Sequence, residues 1–466
     1  MTLSASIKPN PYYRIFENQQ LNRQTLSMRP VRKRLQQLKK LENALHRFRA
    51  DLQTALYNDF KKTTTETDLT ELYPLLSEIR HVRANLRNWL RPEVIENGLA
   101  FLGTKGTIIR TGKGVCLIIS PWNYPVNLTL GPLISAIAAG NTAIIKPSEF
   151  TVHTSAILKK LIEKVFPPEE VIVIEGGKEA AEHLLALPFD HIHFTGSTHV
   201  GKKVMEAASK NLSSVTLELG GKSPAYIHND AHVKDAAAKI TAAKLVNAGQ
   251  TCIAPDYILV HHDLKEELIT ALKKSFKTFY DPDHNKDTSN YTGIINANHY
   301  ERLENLHPER KQNEMLKENM FFEPVIVDAA DLNDPVMKEE LFGPLLPVIS
   351  VMNEEEALKI IHQLPDPLCI YVFSSNRRLT EHFTTSTRSG SICYNECAVH
   401  FLHPGLPFGG IRQSGMGRAH GKAGFFSFTY ERVVFKQRVG FTMAKILYPP
   451  YNPVKKKLIE LLLRYF

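Results

Sequence analysis

No run of about 18 or more apolar residues occurs anywhere in this 466-residue chain, so no transmembrane helix is expected. Cysteine is scarce and odd in number: there are five, scattered apart from Cys393 and Cys397, and no signal peptide is read ahead of them. A disulfide framework is therefore not expected, and a reducing cytoplasm is the default compartment. No G-x-G-x-x-G opens a strand-to-helix turn, which removes the standard dinucleotide-binding fingerprint. The nearest approach, Gly415, Gly417 and His420, follows no plausible parallel strand. Charge of one sign is also in short supply. Against 57 basic residues stand 48 acidic ones, a net +9, and the bases are not clustered with interleaved aromatics as nucleic-acid binding requires. The polar run Asp281 to Asp287 lacks the downstream glutamate of a calcium loop.

What is present is ordinary globular composition, 43% hydrophobic and 23% charged, at a length of about three domains on a prior of roughly 150 residues each. The first ninety residues read as helix. Val31, Leu35, Leu38, Leu41, Leu45 and Phe48 recur at helical spacing and make one apolar stripe among basic residues, which suits a helix docked on a domain. A second helix is expected from about Thr70 to Leu90, broken by Arg91 and Pro92. From Val115 the period changes. Short apolar runs at Val115 to Ile119, Thr142 to Ile145, Val171 to Ile174 and His191 to Phe194 each precede a helical pattern, the mark of a parallel sheet with crossover helices. After Gly220 the alternation resumes, with strands at Ala225 to His228, Tyr257 to His261 and Val325 to Val327. Helices about Val233 to Val246 and Leu264 to Phe279 lie between them.

Chemistry concentrates in a few stretches. Cys252 stands in Asn247, Ala248, Gly249, Gln250, Thr251, Cys252, Ile253, Ala254, Pro255, where helix propensity stops, so an exposed helix end facing a cleft is expected. Glu218 closes an apolar run against Gly220 and Gly221, which permit close backbone approach. Phe194 to Gly201 reads strand, turn, helix, with Gly196 and Ser197 at a helix amino terminus where an anion is favoured. Lys146, Pro147, Ser148, Glu149 ends a strand with a cation and a carboxylate; by itself Lys146 reads as a solvated strand end, although the pair is chemically able to hold ribose hydroxyls. The best metal-like grouping is Cys393, Cys397, His400 and His403, although zinc usually takes four ligands at tighter spacing.

These stretches, with Pro121, Trp122, Asn123, Tyr124, Pro125 and Glu340, Leu341, Phe342, Gly343, Pro344, resemble the NAD(P)-dependent aldehyde dehydrogenase superfamily over about nine tenths of the chain. Leu406 to Gly410 and Ser414 to Lys422 resemble its class 3 branch. The resemblance implies an α/β, aldehyde dehydrogenase-like fold: a Rossmann-type cofactor domain, an α/β catalytic domain and a small β oligomerisation arm. Its divisions are 1–90 and 113–218 for the cofactor, 219–410 for catalysis, 91–112 and 411–440 for bridging, and 441–466 as a tail. It further implies Cys252 as nucleophile, Glu218 as general base and Asn123 as oxyanion donor. Trp122, Lys146, Glu149, Gly196, Ser197, Gly201, Glu340 and Phe342 fall to the cofactor, and no metal is implied. The cofactor is NAD, with NADP accepted by some of the branch. The substrate is an aliphatic or aromatic aldehyde and the assembly a homodimer. A CoA-acylating dehydrogenase and a non-catalytic protein retaining the fold are the alternatives.

The tail from Tyr448 carries Val454 to Phe466, helical and strongly apolar behind Lys455 to Lys457. As a helix it spans about 20 Å, short of a bilayer core of about 30 Å. Packing on the chain's own surface or on a second subunit is the expectation, and weak contact with an anionic membrane is the alternative.

Overall fold

The computed structural model describes residues 10–98, 101–280, 291–309, 312, 314–328, 331–440 and 442–465, so the polar stretch Asp281 to Asp287 lies outside the described residues. The amino-terminal stripe is buried as its spacing requires. On helix Val31–Arg47, Leu38, Leu41 and Leu45 pack with Leu75, Ile79 and Val82 of helix Tyr73–Trp89 in one apolar cluster. The second helical stretch already winds at Thr70, having begun at Thr64. A five-residue wide turn, Asp68–Leu72, leads into helix Tyr73–Trp89, and Pro74 occupies the first turn of that helix, where its missing N–H costs nothing.

Two strands, β1 (Glu93–Ile95) and β2 (Thr104–Gly112), leave this body as an antiparallel pair. Five parallel strands follow: β3 (Val115–Ile119), β4 (Thr142–Lys146), β5 (Val171–Val173), β6 (His191–Gly196) and β7 (Ser214–Leu219). Val115 to Ile119 and Thr142 to Lys146 are buried throughout, because helices cover both faces of such a sheet. A second sheet, parallel throughout, holds β8 (Pro224–Ile227), β9 (Tyr257–His261), β10 (Val325–Asp328), β11 (Leu345–Val351), β12 (Cys369–Phe373) and β13 (Ser391–Tyr394). Its order is β10-β11-β9-β8-β12-β13.

The stretch 411–440, assigned as a whole to the bridging segment, divides. Its β14 (Gly415–Met416) pairs antiparallel with β7, giving the first sheet the order β14-β7-β6-β3-β4-β5. Only β15 (Thr429–Gln437) joins β2, in a register running from Thr429 opposite Gly112 to Gln437 opposite Thr104. The tail helix Pro453–Tyr465 buries none of its residues. Leu458, Leu461 and Leu463 are 46%, 54% and 82% exposed, so packing on the chain's own surface, one of the two expected fates, is not what occurs.

Candidate active site

Cys252 is not at the exposed end of a helix. Helix Val233–Leu245 stops, and Asn247 (φ 55°), Ala248 (φ 52°) and Gly249 (φ 73°) turn the chain through the left-handed region before it reaches Thr251. A Cβ on Gly249 would meet the Gly343 carbonyl, so only glycine fits that step. The half-buried thiol ends this turn between two cavities. One, of about 740 Å³, has apolar walls that include Leu69, Tyr73, Leu128, Val246, Val399 and Leu402. The other, of about 40 Å³, is lined by Glu218, His193, Thr195, Arg418 and His420. Asn127, Leu128, Cys252 and Phe401 line both.

Electrostatics hold this thiol neutral. Burial raises its pKa most, followed by the charges of Glu340 and Glu218, while the backbone amides of Cys252 and Ile253 pull it back. No electropositive side chain among the described residues lowers it. Glu218 sits at the end of β7, is 6% exposed, and neither of its oxygens accepts a hydrogen bond from any described residue. Burial pushes its pKa well above the carboxylate range, with Arg418 opposing. Glu218 and Cys252 face the same small pocket, which has room for at least one water.

Asn123 is fixed from both ends. Its Nδ2 donates to the Gln250 carbonyl at 3.0 Å, and its own carbonyl accepts from Lys62 Nζ at 3.1 Å and from Asn247 Nδ2 at 2.9 Å. Lys62 is itself fully buried, ion-paired to Glu71 at 3.0 Å and over the Tyr124 ring at 4.2 Å. Glu66 Oε1 accepts the Asn247 N–H at 2.6 Å, and Tyr124 shares a 2.7 Å hydrogen bond with Thr251. The Cys252 turn and the Asn123 loop are thus tied into one network. Lys62, Glu66 and Glu71 were not singled out in the sequence, since charges on an amphipathic helical stretch carry no local mark of burial. Asn247 and Gln250 stood in the Cys252 stretch but without side-chain roles.

The remaining site residues gather where parallel strands end. Ile119 is in register with Lys146 on one side and Phe194 on the other, and Gly196 with Leu219, so Trp122, Lys146, Glu149, Gly196 and Ser197 follow a single carboxyl-terminal edge. Chain order reverses there between β3 and β6, the usual place for a ligand crevice in such sheets. Lys146 is 3% exposed and donates to Glu149 at 2.7 Å, so it is a buried strand end and not a solvated one. Ser197 caps helix Thr198–Ser209, accepting the Val200 N–H at 3.4 Å. A Cβ on Gly201 would come within 2.7 Å of Leu219, so the glycine lets that helix sit against the sheet. Glu340 lies behind Gly220, where a Cβ would strike its carboxylate, and burial lifts its pKa to about 8. Phe342 (φ 47°) meets Trp122 edge to face with ring centres 5.3 Å apart. Of the metal-like grouping, Cys393 and His400 converge with Cys369, and Cys397 and His403 stay outside that cluster.

A half-buried thiol reached from a substrate-sized cavity, with a carboxylate behind it and a nucleotide-type sheet edge alongside, defines a cysteine-centred active site beside a cofactor crevice. Comparison with known proteins supplies the rest. The Aldehyde dehydrogenase family model matches residues 12–434. A 4,4'-diaponeurosporen-aldehyde dehydrogenase of Staphylococcus aureus is 42% identical over 86% of this chain and 89% of the relative. Aldehyde dehydrogenase family 3 member A2 of Rattus norvegicus is 39% identical over 92% and 89%. The solved structure described as the substrate bound state of Staphylococcus aureus AldH superposes with a TM-score of 0.92 at 39% identity, covering 97% of this chain and 99% of that one. The chain belongs to the aldehyde dehydrogenase family, on its family 3 side, and oxidises aldehydes to carboxylic acids with NAD(P).

Proposed function

We propose that the chain oxidises aldehydes with an extended aliphatic or aromatic body, through a thioester on Cys252, with NAD as the preferred cofactor. The observation that carries this reading is that Cys252 lines both the apolar cavity of about 740 Å³ and the small pocket of Glu218. An aldehyde enters along the apolar walls and presents its carbonyl to the sulfur. Cys252 Sγ releases its proton to solvent and adds as the thiolate to the carbonyl carbon. The oxyanion so formed is held by the Cys252 backbone N–H and by Asn123, whose Nδ2 keeps one hydrogen on Gln250 and has a second to give. Losing one such donor costs about 3 kcal/mol of transition-state stabilisation. When bound, the nicotinamide accepts the hydride that leaves the adduct carbon. Water then attacks the thioester, Glu218 takes its proton, the carbon–sulfur bond breaks and the carboxylic acid departs. The burial that raises the Glu218 pKa also makes it the stronger base once it is ionised.

The sheet edge suits the cofactor. Gly196, Ser197 and Gly201 form the helix start for the pyrophosphate, and the Lys146–Glu149 pair faces the ribose. A carboxylate in that place repels a 2'-phosphate, which is the ground for preferring NAD. Glu340, braced by Gly220, and Phe342 with Trp122 flank the nicotinamide end.

The exposed apolar side chains of the three-stranded arm, among them Val94, Val433 and Phe435 at 60%, 72% and 57% exposure, support a homodimer. The tail helix supports weak, salt-sensitive contact with an anionic membrane, and the five free cysteines support a cytoplasmic setting. No described helix is long and apolar enough to cross a membrane.

The test is Cys252→Ala. Aldehyde oxidation should vanish while NAD affinity stays within about twofold of wild type. Substantial residual turnover would remove Cys252 as nucleophile. In the wild type, efficiency with NADP equal to or above that with NAD would remove the ribose role given to Glu149.

A further inference from the structure

Away from the Cys252 turn, two thiols and an imidazole converge at the edge of the second sheet. Cys369 on β12 is in register with Ser391 on β13, and Tyr371 with Cys393, so the two cysteines lie diagonally across neighbouring strands on one face. Their sulfurs are 3.9 Å apart. A ring nitrogen of His400, carried by the single turn Val399–Leu402 that follows β13, lies within 4.8 Å of both. Two sulfurs bound to one tetrahedral zinc at about 2.3 Å stand about 3.8 Å from each other, which is the spacing found here. A disulfide would need them at about 2.05 Å.

We propose that Cys369, Cys393 and His400 bind a soft divalent cation, zinc first, with a fourth position left to water or a small exchangeable ligand. The donor set is soft sulfur and borderline nitrogen with no carboxylate in it, which favours zinc over magnesium or calcium. Metal binding displaces the thiol protons, which go to solvent. His400 Nε2 sits 3.0 Å from Ser391 Oγ, and its Nδ1 is buried with no hydrogen-bond partner among the described residues, so the ring keeps an uncommitted nitrogen. Cys393 and His400 are only partly buried, which leaves a path for entry. The turn that carries His400 also contributes Val399, Phe401 and Leu402 to the wall of the large cavity. Zinc here ties that wall to β12.

The experiment uses the full chain with Cys252→Ala, so that the thiol of the cavity floor takes no metal. Zinc is titrated against a chromophoric chelator, and cobalt is used in parallel as a spectroscopic substitute. The expected result is one zinc per chain, a thiolate-to-cobalt charge-transfer band, and an affinity about 100-fold weaker in Cys393→Ser and in His400→Gln. Amides of 395–402 should exchange more slowly with zinc than without. Uptake unaffected by both variants, a cobalt spectrum without thiolate character, or exchange rates unmoved by zinc would overturn the proposal. So would binding that is lost in His262→Ala instead, since His261, His262 and Asp263 form the other convergent group among the described residues.

Discussion

Cys252 is a thiol whose pKa is raised chiefly by burial, and further wherever Glu340 and Glu218 are ionised. Taken alone it could as well be a buried structural thiol, and the sequence marks it only jointly with Glu218 and Asn123, through the family resemblance of their spacing. Its electrostatics are not legible there, since Glu218 and Glu340 approach it only through the fold. The sign of the shift has a direct outcome. With the folded pKa above the ordinary thiol value, the thiolate fraction near neutral pH is small and grows about tenfold per pH unit. Alkylation of Cys252 by iodoacetamide in the cofactor-free protein should therefore be slow at about pH 7 and rise steadily to about pH 9, read by peptide mapping. Cys393, whose pKa is lowered, should react already on the acid side and level off by neutral pH. A Cys252 rate that is flat across this range would mean a thiolate at rest. Lys62 illustrates what sequence could not give. Its complete burial beside Glu71 and Asn123 follows from packing three separate segments together.

At the scale of elements, the strands were legible because buried parallel strands are short, continuous apolar runs. Tyr257 to His261 is met to the residue, and Val115 to Ile119 likewise. Helix starts were less legible: about Thr70 was expected, whereas winding begins at Thr64 and runs through the wider Asp68–Leu72 turn into Tyr73–Trp89. The fate of 411–428 was missed for a related reason, since β14 has two residues and no pattern of its own. Helix Tyr73–Trp89 is joined to this region by Glu78, which is 7% exposed, accepts the Gly421 N–H at 2.7 Å, and is raised by burial to a pKa of about 7. The folded chain then holds a proton that the unfolded chain has released. Stability from this group is fully present below the unfolded carboxylate pKa and falls as pH rises toward about 7. Glu78→Gln keeps the acceptor oxygen and removes the charge. It should stabilise the protein at about pH 8 by up to about 3 kcal/mol and by almost nothing near pH 4, measured by denaturant midpoints. An equal effect at both values would show that ionisation of Glu78 plays no part.

For the whole molecule, the parallel alternation of strands and helices and the residues of the site follow from pattern and motif order, whereas the sheet order and the surfaces do not. The arm strands and the tail leave apolar side chains in solvent, and nothing in a single chain's periodicity says what covers them. Co-sedimentation with anionic vesicles, for the full chain and for one ending at Tyr448, separates the tail from the rest. The full chain should bind weakly and lose binding with added salt, and the shortened chain should not bind. Equal binding by both would eliminate the tail as a membrane element. The arrangement of two cavities around one thiol is the central claim, and it is tested by trapping the intermediate that passes between them. In Glu218→Gln, mixed with NAD and an aliphatic aldehyde, the account predicts a burst of NADH of about one per chain followed by slow turnover. Intact mass and peptide mapping should then find one acyl group, on Cys252. A burst with no acyl group on Cys252, or steady turnover at the wild-type rate, would contradict it.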